Sequence, residues 1–347
     1  MTQSLALEGR RGDTRGEIRF VDMDRPGALG RLFNFARVAH NRLVQMFTRW
    51  LMHRLLVRVE IGPQAVSVEL DRWRAHIASE RPPRAHSMSI DAVKVARPHD
   101  VLHSPPVPSD WFAPIRGEPH GFVFYVHGGS FILERSPAIT DVVAQFSAAA
   151  GARVYAPNYR LAPEHPCPAA VDDIVEAWAW FRDTWPDEPV VALAESAGSS
   201  ILLAALQRIA AAGDELPSGV VLLSPWVDLS LQSWSVLANS LSGASGSTME
   251  SLAMMAHLYL GGRPASDPVA SPLYGDFTGF PPMLIHASKT DILYDDAVRL
   301  ADRVRDAGGD LTVRLWTDEI HVWERAATPK AMQSIELGAE FIRRRLG

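Results

Sequence analysis

Short apolar runs alternate with helical patterns along most of the chain. The apolar runs are predicted strands, at 122–126, 153–156, 189–194, 219–223, 283–287 and 311–316. Most of them lack alternating polar positions, which is typical of strands buried on both faces. Between them, apolar residues recur at three- and four-residue steps and predict helices, at 169–184, 199–212 and 297–307. This order predicts an α/β fold with a mostly parallel central sheet flanked by helices.

The N-terminal part of the chain has a different pattern. Residues 1–24 are polar without periodicity, and we interpret them as a loosely docked lead-in. From 25 to 58 the apolar positions have helical spacing, and this stretch carries seven arginines but no acidic residue. We interpret 25–58 as part of a helical cap, and weak contact with an anionic membrane surface is the alternative. The arginines interrupt every apolar run, so a transmembrane span is not expected.

The predicted domain boundary lies near the proline-rich joint at Pro82-Pro83. It separates an N-terminal helical cap segment, 1–88, from a main domain, 89–347. Within the main domain, one connection between strands is too long to be a simple loop, and it contains a Ser/Gly-rich stretch followed by an apolar helix at 249–260. We predict a second cap element inserted at about 232–262.

Composition narrows the class of protein. Hydrophobic residues make up 47% and charged residues 21%, which is typical of a globular protein. The net charge of −6 provides no positive field for a phosphate backbone, so nucleic acid is not an expected partner. Cys167 is the only cysteine, and the first twenty residues lack the apolar core of a secretion signal. A cytoplasmic location is therefore the expectation.

A serine lies in the turn between a predicted strand and a predicted helix. The local sequence is Ala194-Glu195-Ser196-Ala197-Gly198, with small residues two positions on either side of the serine. Such a strand–turn–helix context is typical of a nucleophile elbow, in which strand and helix approach closely around a strained serine. We predict Ser196 as the nucleophile. The alternative is a serine that only caps the helix.

A glycine-containing segment follows the predicted strand 122–126. It reads His127-Gly128-Gly129-Ser130-Phe131. Small residues let backbone N–H groups point at the oxyanion that forms during acyl transfer. We expect N–H donors from Gly129, from either Gly128 or Ser130, and from Ala197 directly after the nucleophile.

An aspartate and a histidine complete the predicted catalytic set. Asp291 is the first acid after strand 283–287, at the carboxyl end where catalytic residues gather in open α/β sheets. His321 lies in the loop after strand 311–316. The chain order of serine, aspartate and histidine is that of α/β-hydrolases. Other titratable candidates receive structural roles: Asp295 and Asp296 at a helix start, and His127, His165 and His286.

The segments around these residues resemble a known family, the bacterial hormone-sensitive-lipase-like (class IV) esterases and lipases of the α/β-hydrolase fold. The resemblance covers roughly residues 90–347 and is carried by three sequence segments: Tyr159-Arg160-Leu161-Ala162-Pro163-Glu164-His165-Pro166, Ser224-Pro225-Trp226-Val227-Asp228, and Asp267-Pro268 through Ser271-Pro272. The chain departs from the family pattern at Ser130, Ala194 and Glu195, and it has Trp323 where phenylalanine is common.

The resemblance implies a serine hydrolase of short- to medium-chain acyl esters that needs no metal or organic cofactor. The expected partner is a small-molecule ester, and a homodimer is left open. We expect three aromatic residues to line the substrate pocket: Phe131, Trp226 and Trp323. A lactone hydrolase or an acyltransferase with the same catalytic residues is the alternative function. A non-catalytic receptor is disfavoured because His321 is retained.

Overall fold

The fold is built on one sheet, seen in a computed structural model that describes residues 18–23, 71, 74–75, 92–95, 104–242, 247–326 and 328–347. The described strands are β1 (Ile18–Asp22), β2 (Ala92–Val95), β3 (Ser109–Pro114), β4 (Phe122–Val126), β5 (Arg153–Pro157), β6 (Val190–Glu195), β7 (Val220–Leu223), β8 (Met283–Ser288) and β9 (Leu311–Trp316). Their order is β1-β9-β8-β7-β6-β4-β5-β3-β2. All neighbouring pairs are parallel except those that include β3. The predicted fold class is confirmed.

The sequence predicted six strands, β4 to β9, to within one residue at each end, but it missed β1 and β2 at the two edges of the sheet and β3, which lies beside β2. The prediction that 1–24 is only a lead-in was wrong for Ile18–Asp22, since this segment pairs with β9 from Ile18 opposite Leu311. In β1 every side chain is at least partly exposed, because the strand has a neighbour on one side only. An edge strand therefore lacks the continuous apolar run that identifies a buried one.

The helices of the described chain connect these strands. They are α1 (Pro137–Ala150), α2 (Ala169–Thr184), α3 (Gly198–Ala212), α4 (Trp234–Ser242), α5 (Met249–Leu260), α6 (Tyr294–Asp306) and α7 (Pro329–Leu346), with 3₁₀ turns at Pro272–Tyr274 and Trp323–Ala326. Several starts are explained by capping: the Ser136, Thr248 and Thr328 hydroxyls each accept the N–H three residues ahead. No helix in the described ranges is both long and apolar enough to cross a membrane.

The sheet buries apolar side chains on both faces. Along β6, Val190, Ala192 and Ala194 join one core cluster, while Val191 and Leu193 join the other. Both faces are therefore covered by helices, and the carboxyl ends of the parallel strands meet at one edge.

The predicted cap segments are described only in part. The helix predicted at 249–260 is confirmed as α5, and α4 also lies within the predicted insertion at 232–262. The stretch 25–58 lies outside the described residues, as does most of 1–88. The division into cap and main domain therefore stays a prediction, with β1 as the part of 1–88 that belongs to the sheet.

Candidate active site

Ser196 occupies the turn between β6 and α3. Its φ of 53° is in the left-handed region, where a non-glycine residue is strained by roughly 1–2 kcal/mol. Its N–H donates to the Leu223 carbonyl (2.9 Å) and its own carbonyl accepts from the Trp226 N–H (3.1 Å). A Cβ on Gly198 would overlap the backbone of β4, which explains the small residue. The helix receives no side-chain cap here, so the capping alternative for Ser196 is wrong.

The structure brings Ser196, His321 and Asp291 into one hydrogen-bonded line. His321 Nε2 lies 2.8 Å from Ser196 Oγ, and His321 Nδ1 lies 2.9 Å from Asp291 Oδ2. These residues come from three separate connections after β6, β8 and β9. They meet because the three strands end at the same edge of the sheet.

The Asp291 carboxylate is kept charged by its neighbours. Burial alone would raise its pKa, but the facing His321 ring and the Leu293 N–H (3.1 Å from Oδ1) bring the pKa below the ordinary value. A charged carboxylate behind Nδ1 fixes the tautomer in which Nε2 is free to accept a proton from the serine.

Ser224 supports this pair and was not predicted from the sequence as a site residue. Its hydroxyl accepts the Val322 N–H (3.1 Å) and also bonds to the Asp291 carboxylate. One side chain thus connects the aspartate to the residue after His321. The sequence contained a signal for this residue, since Ser224 is the first residue of a segment that carries the family resemblance.

The neighbouring acids lie apart from this line. Asp296 accepts the N–H groups of Val227 (2.9 Å) and Asp228 (3.0 Å), and burial raises its pKa to about 7. Asp295 accepts the Ser235 N–H at 2.8 Å. Both carboxyl groups therefore position the chain around α4 and α6, in agreement with the structural role expected for them.

The segment 127–133, called here the 127–133 loop, passes close to the nucleophile elbow. The Gly128 N–H donates to Glu195 Oε1 (2.6 Å), and a Cβ on Gly128 would overlap the same carboxyl group. Gly128 was one of the expected oxyanion donors, and this part of the prediction was wrong because its N–H is already bonded. The N–H groups of Gly129, Ser130 and Ala197 have no acceptor among the described residues.

The 127–133 loop has an unusual backbone. Three successive residues have left-handed φ values: Gly129 (103°), Ser130 (54°) and Phe131 (67°). The Tyr159 hydroxyl donates to the His127 carbonyl (2.6 Å), and the two rings stack at 4.2 Å. Burial lowers the His127 pKa to about 3, so this histidine is neutral and packs beneath the loop.

The three aromatic residues predicted to line the pocket do not lie together. Phe131 and Trp226 are in contact, with ring centroids 5.2 Å apart, and Phe131 also stacks on Tyr259 of α5 at 3.9 Å. Trp323 instead packs against Trp316 in a separate cluster that contains neither Phe131 nor Trp226. We therefore withdraw Trp323 as a lining residue. The sequence missed Tyr259, because its role depends on how α5 packs.

The described residues contain no group of three or more His, Cys, Asp or Glu placed to hold a metal ion. A serine hydroxyl bonded to a histidine, beside unbonded N–H groups, is suited to acyl transfer.

Comparison with known proteins agrees with this geometry. The sequence pattern of the alpha/beta hydrolase fold family matches residues 123–325. An acetyl-hydrolase from Streptomyces hygroscopicus is 34% identical over 262 residues, covering 72% of this chain and 84% of the relative. An esterase from Acinetobacter venetianus is 29% identical over 222 residues, covering 63% and 73%. A solved esterase of the bacterial hormone-sensitive lipase family has 29% identity and a TM-score of 0.69, covering 86% of this chain and 98% of that one. The chain therefore belongs to the alpha/beta hydrolase fold family, among its hormone-sensitive-lipase-like members, and is a carboxylic ester hydrolase.

Proposed function

We propose that this enzyme cleaves short- to medium-chain acyl esters through an acyl-enzyme formed on Ser196. The observation that carries the proposal is the line from Ser196 Oγ through His321 to Asp291, with separations of 2.8 and 2.9 Å. His321 takes the serine proton as Oγ attacks the acyl carbon, then gives it to the departing alcohol. A water molecule, deprotonated by the same imidazole, attacks the acyl-enzyme and releases the acid.

The negative charge that forms on the carbonyl oxygen is stabilised by backbone N–H groups. We assign this role to Gly129, Ser130 and Ala197, whose N–H groups have no acceptor in the described parts of the chain. Preorganised donors of this kind are worth more than donors in water, because they need no reorganisation as the charge develops.

We assign one wall of the acyl site to three aromatic residues near the nucleophile, which favours a short acyl group. The Trp226 backbone N–H donates to the Ser196 carbonyl, so the backbone of this residue lies next to the elbow. Phe131 and Tyr259 continue the wall, and all three side chains are almost completely buried. Closely packed rings leave little room for a long acyl chain on this side. The acetyl-hydrolase name of the Streptomyces relative points in the same direction.

The proposal is tested by hydrolysis of p-nitrophenyl esters from acetate to palmitate. We expect highest activity with the short esters, loss of activity in Ser196→Ala, and retention in Ser199→Ala. Ser199 is a matched control, because its buried hydroxyl lies one turn further along and has no hydrogen-bond partner in the described structure. A folded wild type without activity on any of these esters would contradict the proposal.

An acyltransferase or lactone hydrolase would use the same catalytic line. Adding an alcohol acceptor to the reaction separates these outcomes: we expect free acid as the main product, and a transferred acyl ester would favour the acyltransferase. Lactone opening without ester cleavage would favour the lactone hydrolase.

Membrane contact through 25–58 stays a prediction, as do a homodimer and the cytoplasmic location. One described feature adds to the first: α4 exposes Trp234 (73%), Leu237 (41%) and Leu241 (80%) at helical spacing. Flotation of the full-length protein with anionic liposomes tests the contact, and protein that does not float would exclude it. Size-exclusion chromatography tests the dimer.

A further inference from the structure

Arg74 is bonded to the outer side of the 127–133 loop. Its Nε donates to the Ile132 carbonyl (2.7 Å), and Nη2 donates to the Ala162 carbonyl (2.9 Å). The two Nη atoms also hold both oxygens of the Glu164 carboxylate, each at 3.0 Å. The side chain is 18% exposed. A guanidinium that is mostly buried and bonded at every nitrogen has one fixed position.

We propose that Arg74 is a positioning residue for the oxyanion donors, holding the 127–133 loop in the conformation that presents the Gly129 and Ser130 N–H groups to the substrate. This inference rests on the proposed function of these donors. It connects the N-terminal part of the chain to the chemistry at Ser196.

The backbone of the 127–133 loop is strained at two residues that are not glycine. Ser130 and Phe131 both have left-handed φ values, which cost a non-glycine residue roughly 1–2 kcal/mol each. Such residues keep their conformation only when contacts around them hold it. If the loop relaxed toward negative φ, the peptide planes would turn and their N–H groups would point elsewhere.

Arg74 bonds to the loop at the peptide group that follows the strained residues. The peptide group after the strained run consists of the Ile132 carbonyl and the Leu133 N–H. Its carbonyl accepts from Arg74, and its N–H donates to the Gly129 carbonyl at 2.9 Å. Because the peptide unit is planar, bonding at both ends fixes its orientation. Arg74 therefore holds one end of the peptide plane whose other end is bonded to Gly129.

Ala162 adds a second connection between Arg74 and the loop. Its N–H donates to the Phe131 carbonyl (3.0 Å), and its own carbonyl accepts from Arg74. Arg74 thus contacts the loop directly at Ile132 and through Ala162 at Phe131. A lysine could not make these contacts together, because an ammonium lacks the planar set of donors that reaches two carbonyls and a carboxylate at once.

Arg182 offers a matched control on another part of the protein. It also donates to two carbonyls, those of Pro186 (2.5 Å) and Glu188 (3.0 Å), and to one carboxylate, that of Glu215 (2.6 Å). Its side chain is 15% exposed. It supports the connection from α2 to β6, and none of these hydrogen bonds goes to the 127–133 loop. Removing it tests the general cost of losing such an arginine.

The experiment compares Arg74→Ala, Arg74→Lys and Arg182→Ala with p-nitrophenyl acetate as the substrate. For Arg74→Ala we expect kcat to fall about 10- to 100-fold with KM within about 3-fold of wild type, since displaced catalytic groups lower the rate more than the binding. The rate of inactivation by a p-nitrophenyl phosphate triester should fall in parallel, because phosphorylation of the serine uses the same N–H donors. Arg74→Lys should be intermediate, and added guanidinium should restore part of the Arg74→Ala rate.

The inference is overturned if folded Arg74→Ala keeps the wild-type kcat, if its loss is no larger than that of Arg182→Ala, or if guanidinium restores nothing. If Arg74→Ala does not fold, a folded Arg74→Lys with the wild-type kcat overturns it instead. Ser196→Ala in the same assay distinguishes a failure of the role assigned to Arg74 from a failure of the proposed function. An inactive Ser196→Ala beside a fully active Arg74→Ala refutes the role of Arg74 alone, whereas unchanged activity in Ser196→Ala refutes the proposed function.

Discussion

Replacing Glu195 by alanine would remove the acceptor that holds the inner side of the 127–133 loop. Glu195 Oε1 accepts the Gly128 N–H (2.6 Å) and the Tyr125 hydroxyl (3.0 Å), and the side chain is almost fully buried. Burial raises the pKa of this carboxyl group, which favours its neutral form. A glutamine keeps an oxygen acceptor in the same place, whereas an alanine leaves both donors without one.

The loss of stability expected in Glu195→Ala follows from these two hydrogen bonds. A buried donor left without an acceptor costs about 1–3 kcal/mol, so two of them cost about 2–6 kcal/mol, with a further term for the cavity. The kinetic effect arises because Gly128 is no longer held and Gly129 can move with it. Complete loss of one oxyanion donor lowers kcat by about 10²–10³-fold, so a displaced donor should cost about 10²-fold.

The assay measures kcat and KM with p-nitrophenyl acetate, and urea unfolding measures the free energy of unfolding. Tyr125→Phe is the matched control, since it removes the other donor to Glu195 and leaves the Gly128 contact in place. We expect Tyr125→Phe and Glu195→Gln to stay within about 10-fold of the wild-type kcat, far above Glu195→Ala. If folded Glu195→Ala had the same kcat as Tyr125→Phe, the role assigned to the Gly128 contact would be refuted.

Three further predictions concern other parts of the site. Asp291→Asn should lower kcat by about 10⁴-fold with little change in KM, because asparagine would hold the wrong tautomer of His321. Steady-state ester hydrolysis measures both constants, and a fall in kcat of less than about 10-fold would contradict this prediction. Burial raises the pKa of Glu324 from 4.5 to about 7, so this group's contribution to stability is present at low pH and lost as the pH rises through 7. The free energy of unfolding of the wild type should therefore fall by on the order of 3 kcal/mol between about pH 4 and pH 8 because of this group, and that of Glu324→Gln should not. Urea unfolding measures both, and the same pH dependence in the two proteins would contradict the raised pKa of Glu324. Tyr259→Ala should move the preferred p-nitrophenyl ester toward longer acyl chains, while Tyr259→Phe keeps the wild-type order; an unchanged order in both would remove Tyr259 from the acyl wall.

The sequence predicted the interior of the sheet because burial on both faces leaves a continuous apolar run, as in β4 and β6. The outer strands carry no such run. β1 has polar and exposed positions, and β3, which lies between β2 and β5, has only two buried positions and ends in proline. The signal for a strand therefore weakens where the sheet ends, and these strands were missed.

The line of Ser196, Asp291 and His321 could be predicted because each residue follows a recognisable strand, and parallel strands end at one edge. The set of backbone N–H groups that bind the oxyanion could not be predicted in this way. Whether Gly128 is free depends on the Glu195 side chain, and that contact joins residues 67 positions apart. The Arg74 contacts with the loop and with Ala162 span 58 and 88 positions. Contacts of this kind follow from side-chain packing, which local patterns do not encode.

The contacts around the 127–133 loop explain how a serine is tolerated at position 130, and the serine in turn makes the loop depend on those contacts. Glycine is common at this position in the family, and it adopts the left-handed φ of 54° without strain, whereas serine does not. A strained residue persists only where its surroundings hold it, and here Glu195 holds the inner end of the loop at Gly128 while Arg74 holds the outer end at Ile132. A serine also has fewer alternative backbone conformations than a glycine. The departure from glycine therefore favours a stiffer loop as long as both contacts are present, and makes the loop more sensitive than a glycine loop when either is removed.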